Sequence, residues 1–335
     1  MTTVQKIKGS RFKRAVAWAA IALGILLLLF VTGPRVPTEF EMRQVHFADA
    51  SPARIQSFVA TREAARDTLR PDLEARVLLW QDKDERAPWA IVYLHGFSAS
   101  PREVYPLIPK LAAQLEAHAF LPRLAGHGLE PDGLGEGASF QAWMDDAFEA
   151  LAIGRVLGER VLLIGYSNGA NLALLSALNA VESMQPDKLV LMAPNFQPAD
   201  PSARFLAWPW ARFWVPLWAG PERVREALHE SHAAGWSLRY ATRALFPMMS
   251  SVLAVKQAPL EKLQLPVKLI YSESDKVVNV AAIRAGFERI GSEQKSVLVF
   301  ETVEDPSGHI LAGDAFSPAT TDAVVEAIRD FVLEN

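Results

Sequence analysis

Hydrophobic and polar positions fall into three regimes along the chain. The first is a single block: residues 15–32, AVAWAAIALGILLLLFVT, carry no charge. Lys6, Lys8, Arg11, Lys13 and Arg14 precede it, and the first acidic residue is Glu39. As a helix the block spans ~27 Å at ~1.5 Å per residue, close to the roughly 30 Å of a hydrocarbon core. The pattern predicts a transmembrane signal anchor over 15–32, with the basic residues 1–14 kept on the cytoplasmic side. The rest of the chain then lies on the far side, periplasmic or extracytoplasmic. A cleaved signal peptide, which would leave a secreted protein, and a buried core helix are the alternatives. Val31-Thr32-Gly33-Pro34 is a poor cleavage site of the small-x-small kind. Residues 33–74 read as a linker and N-terminal extension.

In the second regime, from residue 75 onward, short apolar runs alternate with stretches of helical spacing. Strands are expected at 75–80, 90–95, 119–122, 161–166, 188–193, 267–272 and 297–300. Helices are expected at 102–117, 139–158 with Ser139 as N-cap, 168–180, 281–290 and 321–333. Fully apolar strands separated by helices predict a mostly parallel sheet covered on both faces. The fold class is therefore α/β, one domain over 75–335.

The third regime interrupts that rhythm. Between residues 193 and 267 there is no clear strand, and a structureless loop of that length is improbable in a compact domain. The segment is rich in aromatics, including Trp208, Trp210, Phe213, Trp214 and Trp218. It reads as a helical cap inserted at about 195–262. Its rings can line an acyl pocket, form the cap's own core, or rest in a membrane interface where tryptophan is favoured.

Composition narrows the chemistry. Cysteine is absent, which excludes disulfides, thiolate catalysis and cysteine-held metals. The net charge is −4. Without the five basic residues of the N-terminus the remainder holds 29 basic and 38 acidic residues, a net charge of −9. Such a body has no pull toward nucleic acid or anionic lipid, so membrane attachment falls to the helix.

Candidate chemistry begins at Gly165-Tyr166-Ser167-Asn168-Gly169. It joins the apolar strand 161–166 to the helix 168–180, the context a G-x-S-x-G nucleophile elbow requires. The glycines suit a turn so sharp that side chains would clash, and Ser167 is the candidate nucleophile. A serine hydroxyl needs a base held by an acid. Of seven histidines, His309 lies in the loop between the last strand and the last helix, where open α/β sheets place their sites. Asp275 follows the strand 267–272 and is the candidate acid, with Glu273 as runner-up. Asp305 and Asp314 read as solvated loop acids, and His127, between two glycines, as a turn residue. His95 ends a strand in the Leu94-His95-Gly96-Phe97 turn, and the other histidines read as surface or cap residues. The backbone N–H groups of Phe97 and Asn168 are candidate oxyanion donors.

Together these residues resemble the α/β-hydrolase superfamily, in the branch of monoacylglycerol lipases, carboxylesterases and serine aminopeptidase-like hydrolases. Leu121-Pro122-Arg123-Leu124-Ala125-Gly126-His127-Gly128 is similar to that branch's Leu-Pro-Gly-His-Gly turn, with Ala125 where proline is usual. The resemblance runs from about residue 90 to the C-terminus. It implies a catalytic set of Ser167, Asp275 and His309, an oxyanion hole at Phe97 and Asn168, and no metal or organic cofactor. The expected activity is hydrolysis of carboxylic esters of hydrophobic acyl groups, on a small-molecule substrate that can be lipid-derived. An aminopeptidase, amidase or thioesterase of the same fold is the alternative, and a membrane-tethered binding protein a more distant one. A serine at 167 sets the chain apart from relatives that use an aspartate nucleophile.

Overall fold

The computed structural model describes residues 3–334 except 44, 48, 49, 131, 132 and 136. Helix α1, Thr3–Val31, contains the apolar segment Phe12–Val31, long enough to cross a membrane. As anchor or signal peptide it is the one such helix among the described residues. Residues 33–74, read as linker and extension, also hold a helix, α2 at Pro52–Ala64. Its start follows local chemistry: Ser51 accepts from the Arg54 N–H, and Pro52 takes the first turn. Ile55 and Val59, one turn apart, are buried. Glu63 at its end forms a buried two-pronged ion pair with Arg123 at 2.7 and 3.0 Å, which ties α2 to the body.

The body is an α/β-hydrolase fold. Its strands are β1 Arg76–Leu78, β2 Ala87–Leu94, β3 His118–Leu121, β6 Gly158–Tyr166, β7 Lys188–Met192, β10 Val267–Ser272 and β11 Lys295–Phe300, in the order β1-β3-β2-β6-β7-β10-β11. All pairings are parallel except β1 with β3. Two short hairpins lie outside this sheet, β4 His127–Leu129 with β5 Gly133–Leu134, and β8 Glu222–Val224 with β9 Arg239–Ala241.

The alternation of side chains along β2 explains the two layers. Ile91 and Tyr93 join one apolar cluster with helices α3 Leu107–Leu115 and α10 Pro318–Leu333. Ala90, Val92 and Leu94 join the other, with α4 Phe140–Leu157, α5 Asn168–Asn179, α8 Leu245–Gln257 and α9 Val280–Glu288. Ser139 caps α4 by accepting from the Ala142 N–H at 3.1 Å.

Helix α3 starts at Leu107 rather than at 102, because Pro106 lacks an N–H and disfavours helical backbone at the residue before it. The first strand ends at Leu78 instead of 80, where the chain turns into a short 3₁₀ segment at Trp80–Asp82 with Gln81 at φ 51°. The stretch between β7 and β10 holds a 3₁₀ turn at Pro201–Ala207, helices α6 Ala211–Ala219 and α7 Glu230–Gly235, the β8–β9 hairpin and α8. Helix α8 packs on α5 as part of the sheet domain.

Candidate active site

Strand β6 delivers Ser167 at the carboxyl edge of the sheet, and the turn there is strained. Ser167 has φ 50° and ψ −114°, a left-handed backbone that L residues avoid. Both flanking glycines are required by close approach. A Cβ on Gly165 would lie 2.5 Å from the Ala170 Cα, and one on Gly169 would lie 2.1 Å from the Leu94 carbonyl oxygen. The strain is held by backbone bonds: Ser167 N–H donates to Met192 at 2.8 Å, and its carbonyl accepts from Asn195 at 3.1 Å.

Asp275 lies just beyond β10. One carboxylate oxygen accepts the N–H groups of Val277 and Val278 at 2.8 and 2.9 Å. The other meets His309 Nδ1 at 2.7 Å. That bond engages Nδ1 and leaves Nε2 of His309, a cavity-lining residue, free of Asp275. Glu273, the alternative acid, is engaged elsewhere, with Arg284 and the Tyr271 hydroxyl. The His309 loop is fixed from below by Asp305. Its Oδ2 accepts the N–H groups of His309 and Ile310, both at 2.8 Å, and the residue is only 5% exposed. The expectation of a solvated acid at 305 is therefore corrected: its carboxylate is the acceptor for a turn that otherwise leaves buried donors unpaired. The Tyr166 hydroxyl bridges the same loop, donating to the His309 carbonyl at 2.7 Å and accepting from the Leu311 N–H at 2.6 Å.

Burial disfavours the charged form of His309, but the Asp275 carboxylate outweighs it, and the net shift is above the usual histidine range. Ser167 and His309 line one cavity of about 880 Å³, together with Phe97 and the cap residues Leu206, Val215 and Trp218. The Ser167 hydroxyl and His309 Nε2 share no hydrogen bond here; such contacts often tighten only with substrate. The N–H groups of Phe97 and Asn168 also have no protein acceptor among the described residues.

One functional-looking group escaped the sequence reading. Glu103 is 2% exposed and lines the same cavity. Its Oε2 accepts the Gly96 N–H at 2.8 Å and the Tyr93 hydroxyl at 2.7 Å. It thus holds the turn that presents the Phe97 N–H. Burial pushes its carboxyl up to about 7. In sequence it is an ordinary acid at the start of the helix expected over 102–117, and only the folded chain buries it.

The remaining histidines are placed differently. His95 is buried, its Nε2 accepts from Leu124 N–H at 3.0 Å, and burial pushes it down to about 4. His127 sits in its turn, accepting from the Ser98 N–H at 3.3 Å. His118, read as a surface residue, is 1% exposed: it accepts from the Trp80 N–H at 2.8 Å and closes the β1–β2 connection. No group of three metal-binding side chains converges among the described residues.

Residues 85–304 match the sequence model of the serine aminopeptidase S33 family, Hydrolase_4. The chain belongs to that family. No curated protein matches the S33 chain in sequence. Among solved structures it is similar to one of two metagenome-derived lipolytic enzymes, at 17% identity and TM-score 0.61, over 79% of this chain and 98% of that one. A soluble variant of monoglyceride lipase from Saccharomyces cerevisiae matches at 13% identity and TM-score 0.59, over 77% of this chain and 90% of the other. The monoacylglycerol lipase of Paleococcus ferrophilus matches at 17% identity and TM-score 0.57, over 78% and 99%. At these identities the S33 chain shares their fold.

Proposed function

We propose that this S33-family hydrolase cleaves carboxylic esters of hydrophobic acyl groups through an acyl-enzyme on Ser167. The observation that carries the reading is one cavity holding a strained serine and a histidine bonded at 2.7 Å to a fixed aspartate. In the proposed reaction His309 takes the Ser167 proton as the hydroxyl oxygen attacks the ester carbonyl. Asp275 holds the imidazole and stabilises its charged form. The N–H groups of Phe97 and Asn168 receive the oxyanion, each worth roughly 3 kcal/mol. His309 then protonates the departing alcohol, and water, deprotonated by the same imidazole, releases the acid. The apolar wall of Leu206, Val215 and Trp218 favours an acyl chain over a polar group.

A second reading, hydrolysis of an amide next to a free amine, draws on the family's name and on Glu103, whose carboxylate borders the cavity. The test uses p-nitrophenyl esters from acetate to palmitate beside aminoacyl p-nitroanilides, with Ser167→Ala as control. Ester turnover that rises with chain length and vanishes in the variant is expected. Turnover of the anilides alone would replace the ester reading by the second one.

A further inference from the structure

The N-terminal helix and the cap meet at one junction. The last turn of α1 leaves carbonyls with no partner inside the helix. Trp210, at the start of α6, supplies one: its Nε1–H donates to the Leu29 carbonyl at 2.9 Å, and its backbone N–H donates to the Pro34 carbonyl at 2.8 Å. Gly33 makes the room, since a Cβ there would lie 1.9 Å from the Trp210 Nε1. Phe30 meets Trp208 edge-on beside it, ring centroids 6.2 Å apart.

From this junction an apolar surface extends over the cap. Trp208, Trp210, Phe213, Leu217 and Trp218 are exposed, Leu217 by 88%. Clustered exposure of this kind marks a surface made for contact. The guanidinium groups of Arg204 and Arg212 lie over Phe205 and Phe213, at 5.1 and 5.8 Å. Aromatic rings with basic heads beside them are the composition of a membrane–water interface. The same surface leads inward. Phe205 packs edge-on against Trp208, Trp214 and Trp218, and both Phe205 and Trp218 line the cavity that holds Ser167.

We propose that this cap surface docks on the lipid bilayer that α1 crosses, held in register by the Trp210–Gly33 junction, so that the cavity takes its substrate from the lipid phase. A bilayer is the occupant because the patch is continuous with the end of a 20-residue apolar segment already suited to one. The proposal rests on α1 being a retained anchor; only its activity arm also rests on the ester-hydrolase reading.

The chain has no cysteine, so one introduced thiol can carry a probe. The full-length protein with Leu217→Cys bears a nitrobenzoxadiazole label in phosphatidylcholine–phosphatidylglycerol vesicles. Leu333→Cys, 62% exposed at the far C-terminus, is the reference. Blue-shifted emission quenched by brominated lipid is expected at 217 and not at 333. Water-like emission at both sites, in protein that resists alkaline carbonate extraction, overturns the docking. Protein released by carbonate, or lacking α1 by mass spectrometry, overturns the anchor and the docking with it. The activity arm compares Gly33→Val and Trp210→Ala with the unmodified protein. Hydrolysis of monoacylglycerol in vesicles is expected to fall on the order of tenfold, the ratio that losing one hydrogen bond gives. Turnover of soluble p-nitrophenyl butyrate should stay unchanged. Equal loss on both substrates would make the junction a folding contact and overturn the proposal. If the unmodified protein turns over neither ester, the ester reading fails and the probe at 217 decides the docking alone.

Discussion

Tryptophan serves opposite ends in the sheet and on the outer surface of the cap. In the sheet domain Trp89 and Trp143 are 3% and 0% exposed, and the Trp143 Nε1–H donates to the Ala125 carbonyl at 2.9 Å. In the cap Trp208, Trp210 and Trp218 keep 45%, 39% and 68% of their surface. The buried kind fills the apolar layers on the two faces of the sheet; the exposed kind leaves apolar area for something outside the fold. Hydrophobicity alone therefore does not say which side chains build the core. Period and layer do: Trp143 lies on the inward face of α4, whereas α6 is too short, and too interrupted by Pro216, to hide its rings.

If rigidity on the sheet side carries the chemistry, the largest effect belongs there. Ser167→Ala should lower kcat on p-nitrophenyl esters by roughly 10⁴-fold or more while the circular dichroism spectrum is kept. Residual activity near that of the unmodified protein would remove Ser167 from the reaction. Next in size is stability. Trp143→Ala should cost about 3–5 kcal/mol in urea unfolding. Trp218→Ala on the cap should cost within about 0.5 kcal/mol, as surface changes do. Equal costs would erase the distinction between the two kinds of tryptophan.

A smaller effect tests what the cap contributes to selection. Trp218→Ala should reduce the preference for octanoate over acetate esters by about 1–3 kcal/mol in kcat/KM, the range for apolar pocket contacts. An unchanged ratio would place acyl recognition elsewhere. The smallest effect is on pH. His309 must be neutral to accept a proton, and its pKa is raised, so activity should fall as pH drops through a midpoint above the ordinary histidine value of about 6.5. Glu103 is one of the carboxylates that stabilise the charged imidazole. Glu103→Gln removes that negative charge and should move the midpoint to lower pH, by less than about one unit. A midpoint that does not move would limit Glu103 to holding the Gly96 turn.

The α/β layering was legible because it is written in local periods. Runs such as Val161-Leu162-Leu163-Ile164 mark a strand buried on both sides, and Gly165 and Gly169 mark a turn where no side chain fits. Candidate residues at strand ends, Ser167, Asp275 and His309, could be named from that layout, because parallel strands bring their carboxyl ends to one edge. The contact between Asp275 and His309, 34 residues apart, needed the folded chain. Helix α2 was missed although Ser51-Pro52 signals a helix start, because its apolar stripe is short: Ile55, Phe58 and Val59, of which Phe58 stays exposed.

Asp305 and Glu103 show the other side of that division. In sequence Asp305 is an acid in a loop and Glu103 an acid at the start of the helix expected over 102–117, and such acids are expected in water. Each is buried in the folded chain, and backbone donors left over by tight turns four to seven residues away find in it their acceptor. The seat of Trp210 on Gly33 lies further from local reading, linking residues 177 positions apart. Periodicity and turn chemistry act over a few residues and can be read along the chain. Burial of a charge, or the pairing of an indole with a distant carbonyl, depends on which surfaces meet, and only the packed chain specifies that.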